Sequence, residues 1–201
     1  MRTITRTLIG AGAFGVILAA SFAAAQAPKI TRGTIDKVDG PTITLKQASG
    51  ADVSVKLMDN AKVFGVKAAT PADVKQGEWI GVGAMPQPDG SQKAIAVTIF
   101  SEAQRGVGEG FRPWDRPGST MTNGTAGSPV ESVNGQVVTV SYKGGQQKIV
   151  IGSDAKIRMY VVGTRDQLKP GARVAVFNPE KAPDGSLQAA RINVGIGDMV
   201  P

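Results

Sequence analysis

Two stretches of the chain repeat one another: Thr70–Phe100, TPADVKQGEWIGVGAMPQPDGSQKAIAVTIF, and Thr164–Gly195, TRDQLKPGARVAVFNPEKAPDGSLQAARINVG. Each opens on a Thr placed to cap the amides of a helix start. In the first copy Pro71 follows, at the helical position where a missing N–H costs nothing. Gly77 and Gly171 then stop the turn in a left-handed conformation. A strand comes next, Glu78–Ala84 in the first copy, followed by an Asp-Gly turn at 89–90 and again at 184–185. The first copy closes on a further strand, Lys93–Phe100, through Ile95, Val97 and Ile99. The chain therefore reads as two copies of one β-rich unit.

Working outward, three more strands precede the first of these stretches. Thr34–Val38 runs into the turn dipeptide Asp39-Gly40, and Thr42–Gln47 alternates through Ile43 and Leu45. After Ser49-Gly50, Val53, Val55 and Leu57 alternate with polar Ser54 and Lys56, the pattern of a strand with one buried face. Asp59-Asn60 then precedes a short apolar piece, Val63–Val66. The order recurs downstream. Val133 and Gly135 match Val38 and Gly40 at an offset of 95, and Asp154-Ala155-Lys156-Ile157 matches Asn60-Ala61-Lys62-Val63 at 94. Thr164, Leu168, Lys169 and Gly171 match Thr70, Val74, Lys75 and Gly77 at 94, and Asp184-Gly185-Ser186 matches Asp89-Gly90-Ser91 at 95.

A unit of roughly 70 residues exceeds the period of about 20–50 found in solenoids, which points to two small domains. Three strands, a short helix and two more strands is the order of an OB-type Greek-key barrel. The expectation is an all-β protein of two tandem small OB-like barrels, each with one short helical turn. A leader occupies 1–25, the first barrel 26–100, a connector 101–126 and the second barrel 127–201. Units this small bury limited apolar area, so the two are expected to pack together.

Composition narrows the chemistry. Of 201 residues 41% are hydrophobic, with 26 Gly and 12 Pro, enough for a core joined by many turns. Only 5% are aromatic, so the core should be Val, Ile, Leu and Ala. The chain has no Cys, which excludes disulfides, thiolate metal sites and thiol nucleophiles. It has no His either, which removes the commonest general base and transition-metal ligand. No acidic loop has calcium-binding spacing. No Gly-x-Ser-x-Gly signature is present, and Gly106–Gly110 lacks the Lys and the strand-to-helix setting of a phosphate loop. Neither catalysis nor a cofactor nor a metal centre is expected.

The formal charge is +7. Without Arg2 and Arg6 the balance is 21 basic against 16 acidic side chains, or +5, and the excess is scattered. A nucleic-acid footprint would be clustered, so nucleic acid is not the expected partner. Met1–Thr7 holds those two arginines and no acid, Leu8–Ala20 is apolar, and Ser21–Ala25 is rich in small residues. This is the three-part layout of a secretory signal peptide, cleaved after Ala25. Its apolar run is shorter than the about 20 residues of a spanning helix, and no later stretch is long and apolar enough to cross a bilayer. The mature chain is expected in the periplasm of a Gram-negative bacterium, or secreted.

The leader, the capped turns with Lys75-Gln76-Gly77 or Lys169-Pro170-Gly171, and the Asp-Gly-Ser hairpins together resemble a family of exported bacterial proteins of unknown function. The resemblance covers nearly all of the mature chain and implies tandem OB-like barrels. Its motifs are structural, so it supplies no site residues. Some relatives carry the label of a metal transporter permease. That label implies the alternative of an envelope protein weakly binding a small ion or metal through carboxylates, accessory to transport.

Between the copies, 101–126 fits neither. Loops longer than about 12–15 residues without regular structure are usually functional or disordered. This one holds Arg105 and the run Phe111-Arg112-Pro113-Trp114-Asp115-Arg116-Pro117, in which aromatics and arginines sit on a backbone stiffened by proline. Exposed Trp and Arg are the pairing that dominates interaction hot spots, and Arg over an indole face holds planar or anionic groups. Phe111, Arg112, Trp114, Arg116 and Arg105 are therefore candidates for binding an envelope protein or a glycan. The other reading has Phe111 and Trp114 tucked against the barrels as glue. Trp79 is a further candidate, expected on an outer or rim face because its counterpart in the second copy is Arg173.

Overall fold

The computed structural model describes residues 30–133, 135–183 and 186–201. The leader at 1–25 and the second Asp-Gly turn at 184–185 lie outside them. Strands β1 (Ile30–Asp39), β2 (Thr42–Lys46) and β3 (Asp52–Ala68) come first. A single 3-10 turn at Pro71–Asp73 leads to β4 (Trp79–Pro86) and β5 (Gln92–Ile99). The stretch read as a connector is structured, with a 3-10 turn at Glu102–Gln104 and strands β6 (Gly110–Pro113) and β7 (Thr120–Ala126). Then follow β8 (Val130–Ser132), β9 (Gly135–Tyr142), β10 (Gly145–Ile151) and β11 (Lys156–Val162). A third 3-10 turn at Arg165–Gln167 precedes β12 (Arg173–Phe177), β13 (Glu180–Lys181) and β14 (Leu187–Gly195). The protein is all-β, as the alternation of apolar residues requires, and its sheet closes on itself.

Pairing closes two rings. In the first, β5 pairs β4 antiparallel and β10 parallel, and β9 and β7 complete the circuit from β10 back to β4. In the second, β14 pairs β12 antiparallel and β3 parallel, and β2 and β1 lead from β3 back to β12. β11 joins the rings, parallel to β5 and antiparallel to β3. Each ring thus takes strands from both halves of the chain. The sequence reading, with one barrel inside 26–100 and another inside 127–201, does not describe this pairing, and β7 of the supposed connector is a ring strand.

The length of β3 explains the crossing. The sequence reading separates Val53–Leu57 from Val63–Val66, but both belong to one 17-residue strand. Strands usually run about 3–10 residues, and 17 at about 3.3 Å each extend about 56 Å. Its first residues pair with β2, while its last five paired residues lie against β11, next to β5. The chain therefore leaves β3 at the first ring and enters β4 there. In the β3–β11 register Val66 faces Tyr160, and these positions differ by the repeat offset of 94.

Each ring holds its own core. The first contains Ile80, Val82, Val97 and Ile99 from the first half with Val138, Val140, Ile149 and Ile151 from the second. The second contains Ile35, Ile43, Leu45, Val55 and Leu57 with Val174, Val176, Ile192 and Val194. Neither core contains an aromatic ring, as the composition suggests. Val74 and Leu168, equivalent residues that follow the 3-10 turns, are 2% and 6% exposed and plug the first and second ring respectively.

Thr70 and Thr164 each open a 3-10 turn with a capping box, at the positions the sequence suggests. The Thr70 carbonyl accepts the Asp73 N–H at 3.0 Å, and the Thr70 backbone N–H and hydroxyl both donate to the Asp73 carboxylate, each at 2.8 Å. In a one-turn helix this is the reach-back half of a capping box. Thr164 repeats it with Gln167, its N–H donating at 3.0 Å, and Ser101 does so with Gln104. The two Thr70 donors hold the Asp73 carboxyl below the usual carboxylate range. Gly77 and Gly171 have φ of +87° and +86°, the left-handed stops the sequence suggests.

Candidate functional site

The part of the connector before β7 lies on the outer face of β4. Ile80 and Val82 point into the first core, so alternation turns Trp79, Gly81 and Gly83 outward. Trp79 is nevertheless only 6% exposed, because the loop after the Glu102–Gln104 turn covers it. Its indole N–H donates to the Val107 carbonyl at 3.3 Å. The Asn123 side-chain amide donates to the same carbonyl at 3.0 Å. A Cβ on Gly81 would stand 2.8 Å from Asn123 Oδ1 and 3.0 Å from the Phe100 ring, and one on Gly83 would overlap the Trp114 ring. Trp114 thus lies on a seat that only glycine leaves open. In the second half Arg173, Ala175 and Phe177 occupy the positions of Trp79, Gly81 and Gly83. Phe177 supplies in place the ring that Trp114 brings from a distance.

The predicted binding residues therefore part company. Trp79 is buried, Trp114 is half-buried against Gly83, and no arginine lies over either indole among the described residues. Arg105 is engaged too, chelating Glu102 and donating to the Gly77 carbonyl at 2.9 Å. Phe111, Arg112 and Arg116 are exposed on the β6–β7 hairpin, Phe111 by 42%. Arg112 donates to the Gly108 carbonyl at 2.8 Å, and neither Arg112 nor Arg116 meets a carboxylate among the described residues. Phe111 and Arg112 alternate on β6 and so face opposite ways. The hairpin is pinned at its base by the Lys143 N–H, which donates to Glu109 at 2.8 Å.

A second concentration of chemistry escaped the sequence reading. Where the rings join, the Arg191 guanidinium lies 4.5 Å from the centre of the Phe177 ring, 5.2 Å from Phe64 and 5.9 Å from Tyr160. Arg158 lies 5.9 Å from Tyr160 on its own side and donates to the Thr98 hydroxyl at 3.0 Å. Phe100 meets Tyr160 edge-on at 5.7 Å. Burial holds the Arg191 pKa below its ordinary value. These residues come from β3, β5 and the residue after it, β11, β12 and β14, and Phe64 of the first half meets Arg191 of the second because β3 pairs with β14.

The two carboxylates at one cleft are already occupied. In a cleft of about 640 Å³ between the β4–β5 turn and the end of β10, Asp154 pairs with Lys93 at 2.9 Å and Asp89 accepts from Ser91. These partners hold both acids below the usual carboxylate range. No group of three or more acidic, His or Cys side chains that could hold a metal occurs among the described residues. No helix among them is long and apolar enough to cross a membrane. No family model, no curated protein and no solved structure matches this chain.

Proposed function

We propose that this chain is a non-enzymatic binding or adaptor protein of the bacterial envelope, exported to the periplasm. In this reading it is a duplicated OB-like unit whose two barrels have exchanged strands. The ring order supports it. Numbered within one unit, each circuit runs one, two, three, five, four and back to one, with strands three and five parallel, as in an OB barrel.

The observation that carries the functional reading is the hairpin at 110–119. Trp114 is anchored on Gly83 while its neighbours at 111–113 and 115–118 are exposed. The glue and binding readings then become one device. A fixed ring orders the loop in advance, so less conformational entropy is lost when Phe111, Arg112 and Arg116 engage a partner. Two arginines without carboxylates suit a protein partner that offers acidic side chains, with Phe111 as the apolar anchor.

Capture from envelope extract tests this. Wild-type protein is expected to retain a specific protein partner, and the triple variant Phe111→Ala, Arg112→Ala, Arg116→Ala to lose it. All three positions are exposed, so stability should change by less than about 1 kcal/mol. Equal capture by wild type and variant would sink the assignment, and retention of a glycan instead of a protein would replace the partner class.

A further inference from the structure

We propose that the junction of the two rings carries a binding site for a small organic anion with an apolar body, such as an aryl or alkyl phosphate or carboxylate. A cleft of about 290 Å³ opens there. Its walls are Lys62, Val63 and Phe64 of β3, Ala103 of the Glu102–Gln104 turn, and Val162 and Arg165 beyond the crossing. At about 30 Å³ per water, that is room for roughly ten waters, which suits a compact ligand rather than a polymer. It is at the lower end of the range for small-molecule sites.

The two charged residues that line this cleft, Lys62 and Arg165, have one sign. No acid is among its lining residues, and Lys62 and Arg165 join no ion pair among the described residues, nor does Arg191, which is not a wall of the cleft but lies over the Phe64 ring. Arg165 is fixed in place by donating to the Met58 and Asp59 carbonyls at 2.6 and 3.2 Å, which leaves its charge uncancelled. Arg191 is in register with Lys62 on the neighbouring strand and lies over the Phe64 ring. Its Nε donates to Asn193 Oδ1 at 3.4 Å. Asn193 is fully buried, and its side-chain N–H group finds no partner.

Cations that meet no carboxylate draw anions to a cleft between them. Phe64, Val63, Ala103 and Val162 add an apolar wall. An oxyanion alone would leave that wall unused, and a neutral hydrocarbon would leave the cations unpaired. The two features together select an anion with an apolar body.

Titration calorimetry with phenyl phosphate tests the site, using inorganic phosphate and benzyl alcohol as the charge-only and apolar-only controls. Saturable binding of phenyl phosphate is expected below about 10 mM, at least about tenfold tighter than either control. Lys62→Glu reverses a charge at the rim and Ala103→Leu fills the cleft without touching charge. Both positions are exposed. Each variant should weaken phenyl phosphate by about tenfold or more while keeping the wild-type melting temperature. No binding by the wild type, equal binding of either control, or unchanged affinity in both variants would overturn the proposal. The hairpin plays no part in this test, so partner capture and anion binding can fail independently.

Discussion

Replacing Gly83 with alanine is expected to destabilise the protein by about 1–3 kcal/mol, the cost of forcing extra volume into a filled site. A methyl group there overlaps the Trp114 ring, and the β4 backbone beneath it is held on both sides by β5 and β7. The indole has to leave its seat. Removing it in the wild type, as Trp114→Ala, should cost about 2–4 kcal/mol, somewhat less than a fully buried aromatic because part of the ring is exposed. In the Gly83→Ala background the same Trp114→Ala change should cost much less, since the contact is already lost. Chemical denaturation of the four proteins gives the coupling directly. Additive costs would mean that Trp114 is not held by Gly83, and the ordered hairpin of the functional proposal would lose its basis.

Leu168→Ala should cost about 2–5 kcal/mol, a large part of the about 5–15 kcal/mol that keeps a domain folded. Leu168 plugs the second ring. Val74→Ala, its equivalent in the first ring, should cost less because fewer methyl groups are lost. The shape of the transition is as informative as the size. β3 pairs within the second ring and against β11, and neither ring closes without strands from the other half. Damage to either core should therefore shift one common unfolding transition. Independent barrels would instead split into two transitions, one shifted and one not.

Most strands and turns were legible in the sequence, apart from the continuity of β3 and the strands β6 and β7, but their partners were not. Alternation at Ile43, Leu45, Val55 and Leu57 fixes which side of a strand is buried, and Gly77 and Gly171 mark turns that need positive φ. Such signals are local. Thr34 pairs with Arg173, although Trp79 occupies the equivalent position in its own half, and either partner satisfies the same apolar pattern. Two stretches that match in sequence therefore specify strands and faces without saying which of them supplies the neighbour. The same ambiguity hid the Arg191 cluster, whose rings lie at positions 64, 160 and 177. It also affected Trp79. Arg173 correctly indicated an outward side chain, but the loop that covers Trp79 follows from the connector and not from the repeat. The connector's aromatic and arginine residues stood out by composition. Sorting anchors from displayed groups required the glycine seat on β4.

The exchange of strands is the claim on which the rest depends, and a disulfide tests it in the intact chain. No native Cys complicates the result. Thr34 and Arg173 are exposed and directly opposite one another across β1 and β12. Side chains in such positions have Cβ atoms about 4.5–5.5 Å apart, close enough for a disulfide after slight adjustment. In an unexchanged ring β1 would lie beside β4 and Thr34 would face Trp79. Mild oxidation of the monomer should close the bond within the chain for Thr34→Cys with Arg173→Cys, and leave Thr34→Cys with Trp79→Cys reduced. Ready closure of the second pair with the first remaining reduced would contradict the exchange.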